Sequence, residues 1–471
     1  MCCPNLRTDA GLQYRPVQTV QHLDPSQQSV SESWNSGITY SQLTDVGMRR
    51  ANNQDSMAVL MAGTLDRFYH HGHLFVVADG MGAHAAGELA SRLAVEHIAM
   101  QYFRSAEEDC PEALRIAVRE SNAEIHRRGQ QNPEFYNMGT TASSLAILPV
   151  GAVVAHVGDS RVYRLRDRVL EQLTFDHSLV WEMEASGQIH PDSVLGQSIP
   201  KNVITRSLGP NANVEVDLEG PFEIHANDQF LLCSDGLSGQ VEDEEIAAIM
   251  DCLPANLATR VLVDLANLRG GPDNSTVIIV RVEADFAEVS GKSTVAKRPR
   301  RRREPSAVSP LLMGTAAICF LGSLGLGLAM AVLNTPVSKA LGPMIIAFIL
   351  GMIASAFCVA QYIQSKPKCK AKPLPKTPGG KGPYRRYSAN PSKELFDRLG
   401  KTVEELRSAA SQRNWMMDWG KIDELQQKGS VAVAQAQFKT AIRLQAEAII
   451  ETMHQLRELN NRAANETDIE R

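Results

Sequence analysis

Several aspartates in the N-terminal part of the chain stand where an apolar run ends or a turn begins. They are Asp55 in RRANNQD, Asp79 in VVADGMG, Asp159 in HVGDSR, Asp235 in LLCSDG and Asp273 in GGPDNS. Taken singly, an Asp-Gly pair after a strand is an ordinary turn signal. Together, carboxylates at strand ends can lie at one edge of a sheet, where hard oxygen ligands hold Mg²⁺ or Mn²⁺. Spacing alone leaves both interpretations open.

Short β-branched runs and amphipathic segments alternate around these aspartates. The strand-like runs are 73–78, 144–148, 153–157, 229–233 and 276–282, and the helical segments are 87–103, 112–128, 178–186, 243–251 and 255–268. Several runs are almost entirely apolar, as strands buried on both faces are. The pattern predicts one α+β domain over residues 37–283. Residues 1–36 lack an apolar period and are expected to form a flexible tail.

Composition and charge limit the classes of protein to which the chain can belong. Hydrophobic residues make up 44% and charged residues 21%, which are ordinary values for a globular protein. The net charge of −5 gives no case for a nucleic-acid partner. The eight cysteines form no CxxC pair and are too scattered for a disulfide framework, which indicates a reducing compartment.

Two uncharged apolar spans, 311–333 and 341–363, follow a basic linker over 284–310. Each exceeds the ~20 residues that cross a bilayer, so 311–363 is predicted to form a transmembrane helical hairpin. The alternative is a pair of core helices in a soluble domain. The run KRPRRRR in the linker is also typical of a nuclear signal or a nucleic-acid patch, but its place beside an apolar span favours a topological role. We therefore expect a two-pass protein of the inner membrane, with the N-terminal domain and the C-terminus facing the cytoplasm.

The chain after the second apolar span changes character twice. Residues 364–389 are rich in Pro, Lys and Gly and are expected to form an extended spacer. Two apolar stripes at helical spacing then predict a helical hairpin or short coiled coil over 390–462, followed by a flexible tail over 463–471. We expect self-association through these C-terminal helices.

An ordered set of short motifs gives the aspartates a common context. The motifs are TDVG from Thr44, RANNQD from Arg50, DGMG from Asp79, GTT from Gly139, GDSR from Gly158, DHS from Asp176, SDG from Ser234 and DN from Asp273. In this order they resemble the bacterial members of the PPM class of metal-dependent serine/threonine protein phosphatases, also called type 2C. The resemblance implies an α-β-β-α sandwich of two antiparallel sheets flanked by helices, with metal ions at one end. The transmembrane hairpin and the C-terminal helical region would follow it.

The resemblance also implies a role for each matching residue. Asp79 would bridge two ions of Mn²⁺ or Mg²⁺, and the carbonyl of Gly80 would bind one of them. Asp235 and Asp273 would complete the ligands of the first ion. Asp55 would serve the second ion, directly or through water.

Two further positions match the family. Asp159 resembles the ligand of a third, weaker metal ion in bacterial relatives. Arg50 matches the arginine that binds the substrate phosphate, and its planar fork suits two phosphate oxygens at once. Two ions ~3.5–4 Å apart lower the pKa of a water molecule between them, which supplies a metal-bridged hydroxide as nucleophile. Arg50 and Asp79 are therefore the expected catalytic residues.

Two residues depart from what is common in the family. Gln54 stands where most relatives have Glu, so one anionic contact near the second metal is missing. Met81 stands where eukaryotic relatives have a histidine, although bacterial relatives usually have Met there. His84 lies nearby and is expected to be exposed to solvent. Residues 175–208 resemble the mobile flap beside the active site.

The favoured function is a membrane-anchored phosphatase that acts on phosphoserine and phosphothreonine in cytoplasmic proteins, with a cognate serine/threonine kinase as partner. A different class, a pseudophosphatase scaffold that binds phosphoproteins without hydrolysing them, is favoured only by Gln54. A third hypothesis is a sensor that reads signals through the membrane hairpin, against which the short external loop argues.

Overall fold

The computed structural model describes residues 36–283, 286 and 381–469, apart from 83–84, 108, 191–192, 194–198 and 201–202, together with positions 345, 346, 349 and 352. The strands are β1 (Ile38–Asp45), β2 (Asp55–Leu60), β3 (His73–Met81), β4 (Gly139–Thr140), β5 (Ala142–Leu148), β6 (Gly151–Val157), β7 (Arg161–Arg166), β8 (Val169–Gln172), β9 (Asp217–Phe222), β10 (Gln229–Cys233), β11 (Ser275–Val282) and β12 (Arg385–Ser388). The helices are α1 (Leu65–His71), α2 (Ala85–Arg104), α3 (Cys110–Gln131), α4 (Leu179–Ala185), α5 (Asp235–Ser238), α6 (Asp243–Cys252), α7 (Ala255–Leu268), α8 (Lys393–Gln412), α9 (Gly420–Ala434) and α10 (Phe438–Ile469).

The strands form two antiparallel sheets. The first sheet has the order β1-β11-β10-β7-β8-β12, and the second has the order β2-β3-β5-β6-β9 with the short β4 paired to β3. The register places Asp45 opposite Ser275 in the first sheet and Asp55 opposite Asp79 in the second. Two antiparallel sheets flanked by helices agree with the α+β prediction.

Alternation along the strands divides the apolar side chains into three layers. In β11, Ile278 and Val280 pack between the sheets together with Phe75 of β3. Val277 and Ile279 of the same strand pack on the outer face of the first sheet, under α6 and α7. Helices α2 and α3 cover the outer face of the second sheet. The period of two in side-chain direction thus gives the order helix, sheet, sheet, helix.

The last residues of the predicted spacer form a strand. Strand β12 pairs with β8, with Arg385 opposite Gln172 and Ser388 opposite Val169. It is therefore the outermost strand of the first sheet, and the chain returns to the sandwich there. The prediction of an extended spacer over 364–389 does not hold for residues 385–388.

The region predicted as a helical hairpin contains three helices, and they pack on the sandwich. Helix α10 lies against α6, α7, α8 and α9, and α8 also contacts α7. Leu399, Ile442 and Ile449 belong to the same apolar cluster as Val261 of α7. The stripe on which self-association was predicted is therefore buried within the chain. Helix α10 also continues to Ile469, so the tail predicted over 463–471 is largely helical.

The membrane prediction is corrected by the structure. No helix among the described residues is long and apolar enough to cross a membrane. The predicted transmembrane hairpin over 311–363 lies outside the described residues except at positions 345, 346, 349 and 352. The part of the chain that the structure describes therefore gives no support to a two-pass protein of the inner membrane, and that location is withdrawn. The predicted N-terminal tail, except for residue 36, and the linker, except for residue 286, also lie outside the described residues.

Candidate active site

One end of the sandwich gathers strand ends from both sheets. Strand β1 ends at Asp45, β2 begins at Asp55, β3 ends at Met81, β10 ends at Cys233 and β11 begins at Ser275. The predicted aspartates lie in these strands, directly beside them, or in the turn between β6 and β7. Antiparallel pairing alternates strand direction, so the start of one strand meets the end of its neighbour.

Asp55 and Asp79 are direct cross-strand partners in β2 and β3. Opposed side chains of such a pair lie roughly 5 Å apart, so two carboxylates there repel each other. Two threonines hold the backbone of Asp79: its N–H donates to Thr141 Oγ1 at 2.9 Å, and Thr140 Oγ1 donates to its carbonyl at 2.8 Å. The GTT motif therefore fixes the position of Asp79.

Ser234 joins the two sheets beside Asp235. Its Oγ donates to Asp55 Oδ2 at 2.7 Å and accepts from the N–H of Thr276 at 3.0 Å. Asp55 belongs to the second sheet, whereas Ser234 and Thr276 belong to the end of the first. This hydroxyl is buried, and it brings the Asp235 turn against β2.

The carboxyl groups of this cluster perturb one another. Burial, reinforced by repulsion from Asp235 and Asp273, raises the pKa of Asp55 to about 7. Burial and repulsion from Asp55 and Asp235 raise the pKa of Asp79 well above its ordinary value. Burial followed by repulsion from Asp235 raises the pKa of Asp159 to about 8. A divalent cation would neutralise such a cluster and favour its ionised form.

The donor set fits hard divalent cations. Oδ1 of Asp159 and Oδ1 of Asp235 are buried and accept no hydrogen bond from the part of the chain that the structure describes. A buried carboxylate oxygen without a donor is costly, and a bound cation removes that cost. Within the described residues no three His, Cys, Asp or Glu side chains converge as ligands of a single ion. The fit therefore rests on oxygen chemistry and charge.

Arg50 lies at the exposed rim of this cluster. Its side chain is 47% exposed, and Nη2 pairs with Asp273 Oδ2 at 2.7 Å. Its Nε donates to the carbonyl of Pro272 at 3.3 Å. The predicted phosphate-binding arginine and a predicted metal ligand are therefore in direct contact.

The turn that carries Asp159 is held by a buried histidine. The N–H of Gly158 donates to His177 Nδ1 at 2.9 Å, and the N–H of His177 donates to the carbonyl of Gly158 at 2.8 Å. Because Nδ1 accepts, the ring proton lies on Nε2, which is 3.1 Å from Asp217 Oδ2. Arg161, two residues after Asp159, pairs with Asp176 at 2.8 Å. The DHS motif thus supports the turn of the GDSR motif.

Comparison with known proteins decides the family. A family model described as protein phosphatase 2C matches residues 49–264. Protein phosphatase PhpP of Streptococcus pneumoniae is 37% identical over 257 residues, which cover 52% of this chain and 98% of PhpP. The chain belongs to the protein phosphatase 2C family.

A second relative and one solved structure extend the comparison. The serine/threonine protein phosphatase PstP of Mycobacterium tuberculosis is 36% identical over 246 residues, covering 52% of this chain and 45% of PstP. A crystal structure of the catalytic domain of PstP in complex with two manganese ions has 33% identity, covers 52% of this chain and 98% of that domain, and gives a TM-score of 0.44. Strand β12 and helices α8–α10 lie beyond the residues that the protein phosphatase 2C model matches.

The phosphatase 2C motif DGMG requires glycine at Gly80 for a packing reason. A Cβ on Gly80 would lie 2.1 Å from the carbonyl oxygen of Gly87 in α2 and 2.5 Å from that of Gln54. Its N–H donates to Gln54 at 3.1 Å. The close approach of α2 and β2 therefore fixes the carbonyl that the family resemblance implies as a metal ligand.

The two departures from the family pattern lie beside this glycine. The carbonyl of Gln54 also accepts from Ser91 Oγ at 2.5 Å, so this residue supports the site through its backbone. Met81 is the last residue of β3. His84 lies outside the described residues.

Asn274 is a functional residue whose role the sequence reasoning missed. Its Nδ2 donates to the carbonyls of Val46 at 2.9 Å and Asn52 at 3.0 Å, and its Oδ1 accepts from the N–H of Gln54 at 2.8 Å. One side chain therefore fixes both ends of the loop that carries Arg50. The sequence did offer a signal for this role. Asn274 directly follows the candidate ligand Asp273 in the DN motif, and its side-chain amide can donate and accept hydrogen bonds at once.

Proposed function

We propose that this phosphatase hydrolyses phosphoserine and phosphothreonine in proteins with two ions of Mn²⁺ or Mg²⁺ at the end of the sandwich. The observation that carries the proposal is a cluster of four mutually repelling carboxyl groups beside an exposed arginine. Asp55 and Asp159 are buried, and Asp79 and Asp235 are partly buried. Membership of the family and the two manganese ions in the PstP structure support it.

The family resemblance implies which residues would bind each ion. Asp79, between the two sheets, would serve both ions, with Asp235 and Asp273 on one side and Asp55 on the other. When bound, the two ions supply a water molecule of lowered pKa as the attacking nucleophile. Asp159 would hold a third ion.

Arg50 would orient the phosphate. Its Nε donates to Pro272 and one N–H of Nη2 donates to Asp273. Among the contacts of the described residues, both N–H groups of Nη1 are left to donate to phosphate oxygens. The guanidinium would neutralise charge on the transferring phosphoryl group. Its 47% exposure keeps it within reach of a protein substrate.

The substrates imply a further class of enzyme. Phosphoserine and phosphothreonine arise by transfer from a nucleoside triphosphate, so a serine/threonine kinase must act before this phosphatase. We propose such a kinase as its functional partner.

The test is hydrolysis of a phosphothreonine peptide with Mn²⁺, with Mg²⁺ and with EDTA. We expect activity with either ion, none with EDTA, and a loss of about 10²–10³-fold for Asp79→Asn and Asp235→Asn, since each removes a charged ligand. Asp167→Asn is the matched control, because Asp167 is exposed in the β7–β8 turn at a φ of 48°, a conformation that Asn adopts readily. Equal hydrolysis rates with Mn²⁺ and with EDTA would contradict the metal-dependent mechanism. Binding of the peptide without hydrolysis would indicate a phosphoprotein-binding scaffold.

A further inference from the structure

Strand β12 brings the side chain of Arg385 onto helix α4. Arg385 Nη2 pairs with Glu184 Oε2 of α4 at 2.6 Å. The guanidinium of Arg385 also stands 3.8 Å from the centroid of the Trp181 ring. Both contacts come from a residue outside the part of the chain that the family model matches.

The neighbouring residues of this segment strengthen the contact. The Tyr384 hydroxyl donates to Glu219 of β9, whose other carboxylate oxygen accepts from the N–H of Gly382 at 3.0 Å. The ring of Tyr384 packs edge-on against Phe175 at 5.5 Å, and Phe175 in turn lies 5.5 Å from Trp181. Residues 381–388 therefore contact both sheets and helix α4.

Helix α4 is connected directly to the carboxylate cluster. Its N-cap, Ser178, follows His177, which exchanges two hydrogen bonds with Gly158 next to Asp159. The Trp181 ring also lies 5.5 Å from the guanidinium of Arg161, the partner of Asp176. A shift of α4 would therefore also displace the turn that carries Asp159.

We propose that Arg385 is a positioning residue for the phosphatase site: it holds helix α4, and through His177 the Asp159 turn, in the geometry that binds metal. The inference rests on the proposed function for its metal readout. The C-terminal segment is thus a structural part of the active site, although Arg385 contacts no reacting group.

The chain offers a matched control on the same strand. Arg386, the next residue, pairs with Glu171 of β8 at 3.1 Å and its side chain is 67% exposed. Alternate residues of a strand point to opposite faces, so Arg386 faces away from α4. Arg386→Ala removes an equal charge from the same strand while keeping the α4 contact.

Amide hydrogen exchange of the full-length chain tests the positioning without metal. We expect Arg385→Ala and Glu184→Gln to speed exchange over residues 178–186, with Arg386→Ala unchanged from wild type. The double variant Arg385→Ala with Glu184→Gln should exchange little faster than Arg385→Ala alone, because both substitutions remove the same ion pair. Unchanged exchange in Arg385→Ala would overturn the proposal.

Titration of phosphothreonine-peptide hydrolysis with Mn²⁺ tests the connection to the site. We expect the half-activating Mn²⁺ concentration to rise about three- to ten-fold in Arg385→Ala, which corresponds to the loss of one partly desolvated cation–aromatic contact. The kcat at saturating Mn²⁺ should stay within about two-fold of wild type. Identical Mn²⁺ dependence in Arg385→Ala and Arg386→Ala would contradict the coupling. If wild type itself were inactive, the proposed function would fail, while hydrogen exchange would still decide whether Arg385 holds α4.

Discussion

Asn274 shows how much of the active site depends on one amide. Its side chain bonds to both ends of the loop that carries Arg50, and its backbone N–H donates to Asp273 Oδ1 at 2.9 Å. Asn274 is almost fully buried, and removal of its amide would leave the carbonyls of Val46 and Asn52 and the N–H of Gln54 without this partner. Buried groups left without partners cost more than the mean hydrogen bond contributes.

We expect Asn274→Ala to lower the free energy of unfolding by about 1–3 kcal/mol and to reduce kcat/KM by about ten-fold or more, because the Arg50 loop loses its fixed geometry. Chemical denaturation and peptide hydrolysis measure the two effects. Asn213→Ala, in an exposed stretch, is the control and should leave both quantities unchanged. An Asn274→Ala enzyme with wild-type kcat/KM would show that the loop is held by other contacts.

At the scale of elements, helix α10 is attached to the sandwich by a charged residue as well as by apolar packing. Arg457 Nη2 lies 2.9 Å from Asp45 Oδ2 at the end of β1 and 3.0 Å from Asp264 Oδ1 of α7. Asp264 is fully buried, and burial raises its pKa. The same arginine therefore stabilises a buried carboxylate and the base of the loop that leads to Arg50.

Replacing Arg457 by Met should lower the free energy of unfolding by about 1–3 kcal/mol, since one buried carboxylate loses a charged partner. The matched control is Arg443→Met in the same helix. Within the described part of the chain Arg443 pairs with Glu447 of the same helix, with side chains that are 61% and 39% exposed, and such surface pairs contribute about 0–1 kcal/mol. Equal denaturation midpoints for the two variants would show that α10 is held by its apolar face alone.

The sequence predicted the elements of the site better than those of the C-terminal region. Asp55, Asp79 and Asp235 were recognisable because each ends or begins an apolar run. Their convergence was not readable from spacing, because it depends on pairing between strands far apart in the chain and had to come from the family resemblance. Strand β12 was missed because its sequence, RRYS, is short and charged, as edge strands often are. Helix α9 was missed because its apolar stripe is weak: only Ile422, Gly429 and Ala432 are buried.

At the scale of the whole molecule, the outer apolar layer of the first sheet continues into the C-terminal helices. Leu231 of β10, Leu262 of α7, Leu399 of α8 and Ile449 of α10 belong to one buried cluster. A shared core predicts that the sandwich and the C-terminal helices unfold together. Neither can unfold without exposing the apolar surface of the other to water.

Two tryptophans can report on this cooperativity, Trp181 in α4 and Trp419 before α9. The chain has four tryptophans, so the comparison uses variants whose single tryptophan is Trp181 or Trp419. Their denaturant-induced fluorescence changes should have the same midpoint. Leu399→Ala should shift both midpoints to lower denaturant, by about 2–5 kcal/mol in unfolding free energy. Val431→Ala, at a residue that is 53% exposed, should shift neither. A Trp419 transition that precedes the Trp181 transition would show that the C-terminal helices are a separate folding unit.

The return of the chain through β12 has a consequence for the residues between the two halves of this core. Strands β11 and β12 belong to the same sheet, so residues 287–380 form, whatever their own structure, a single excursion between two anchored ends. Strands β10, β7 and β8 separate β11 from β12 in that sheet, so these three strands set the spacing between the two anchors.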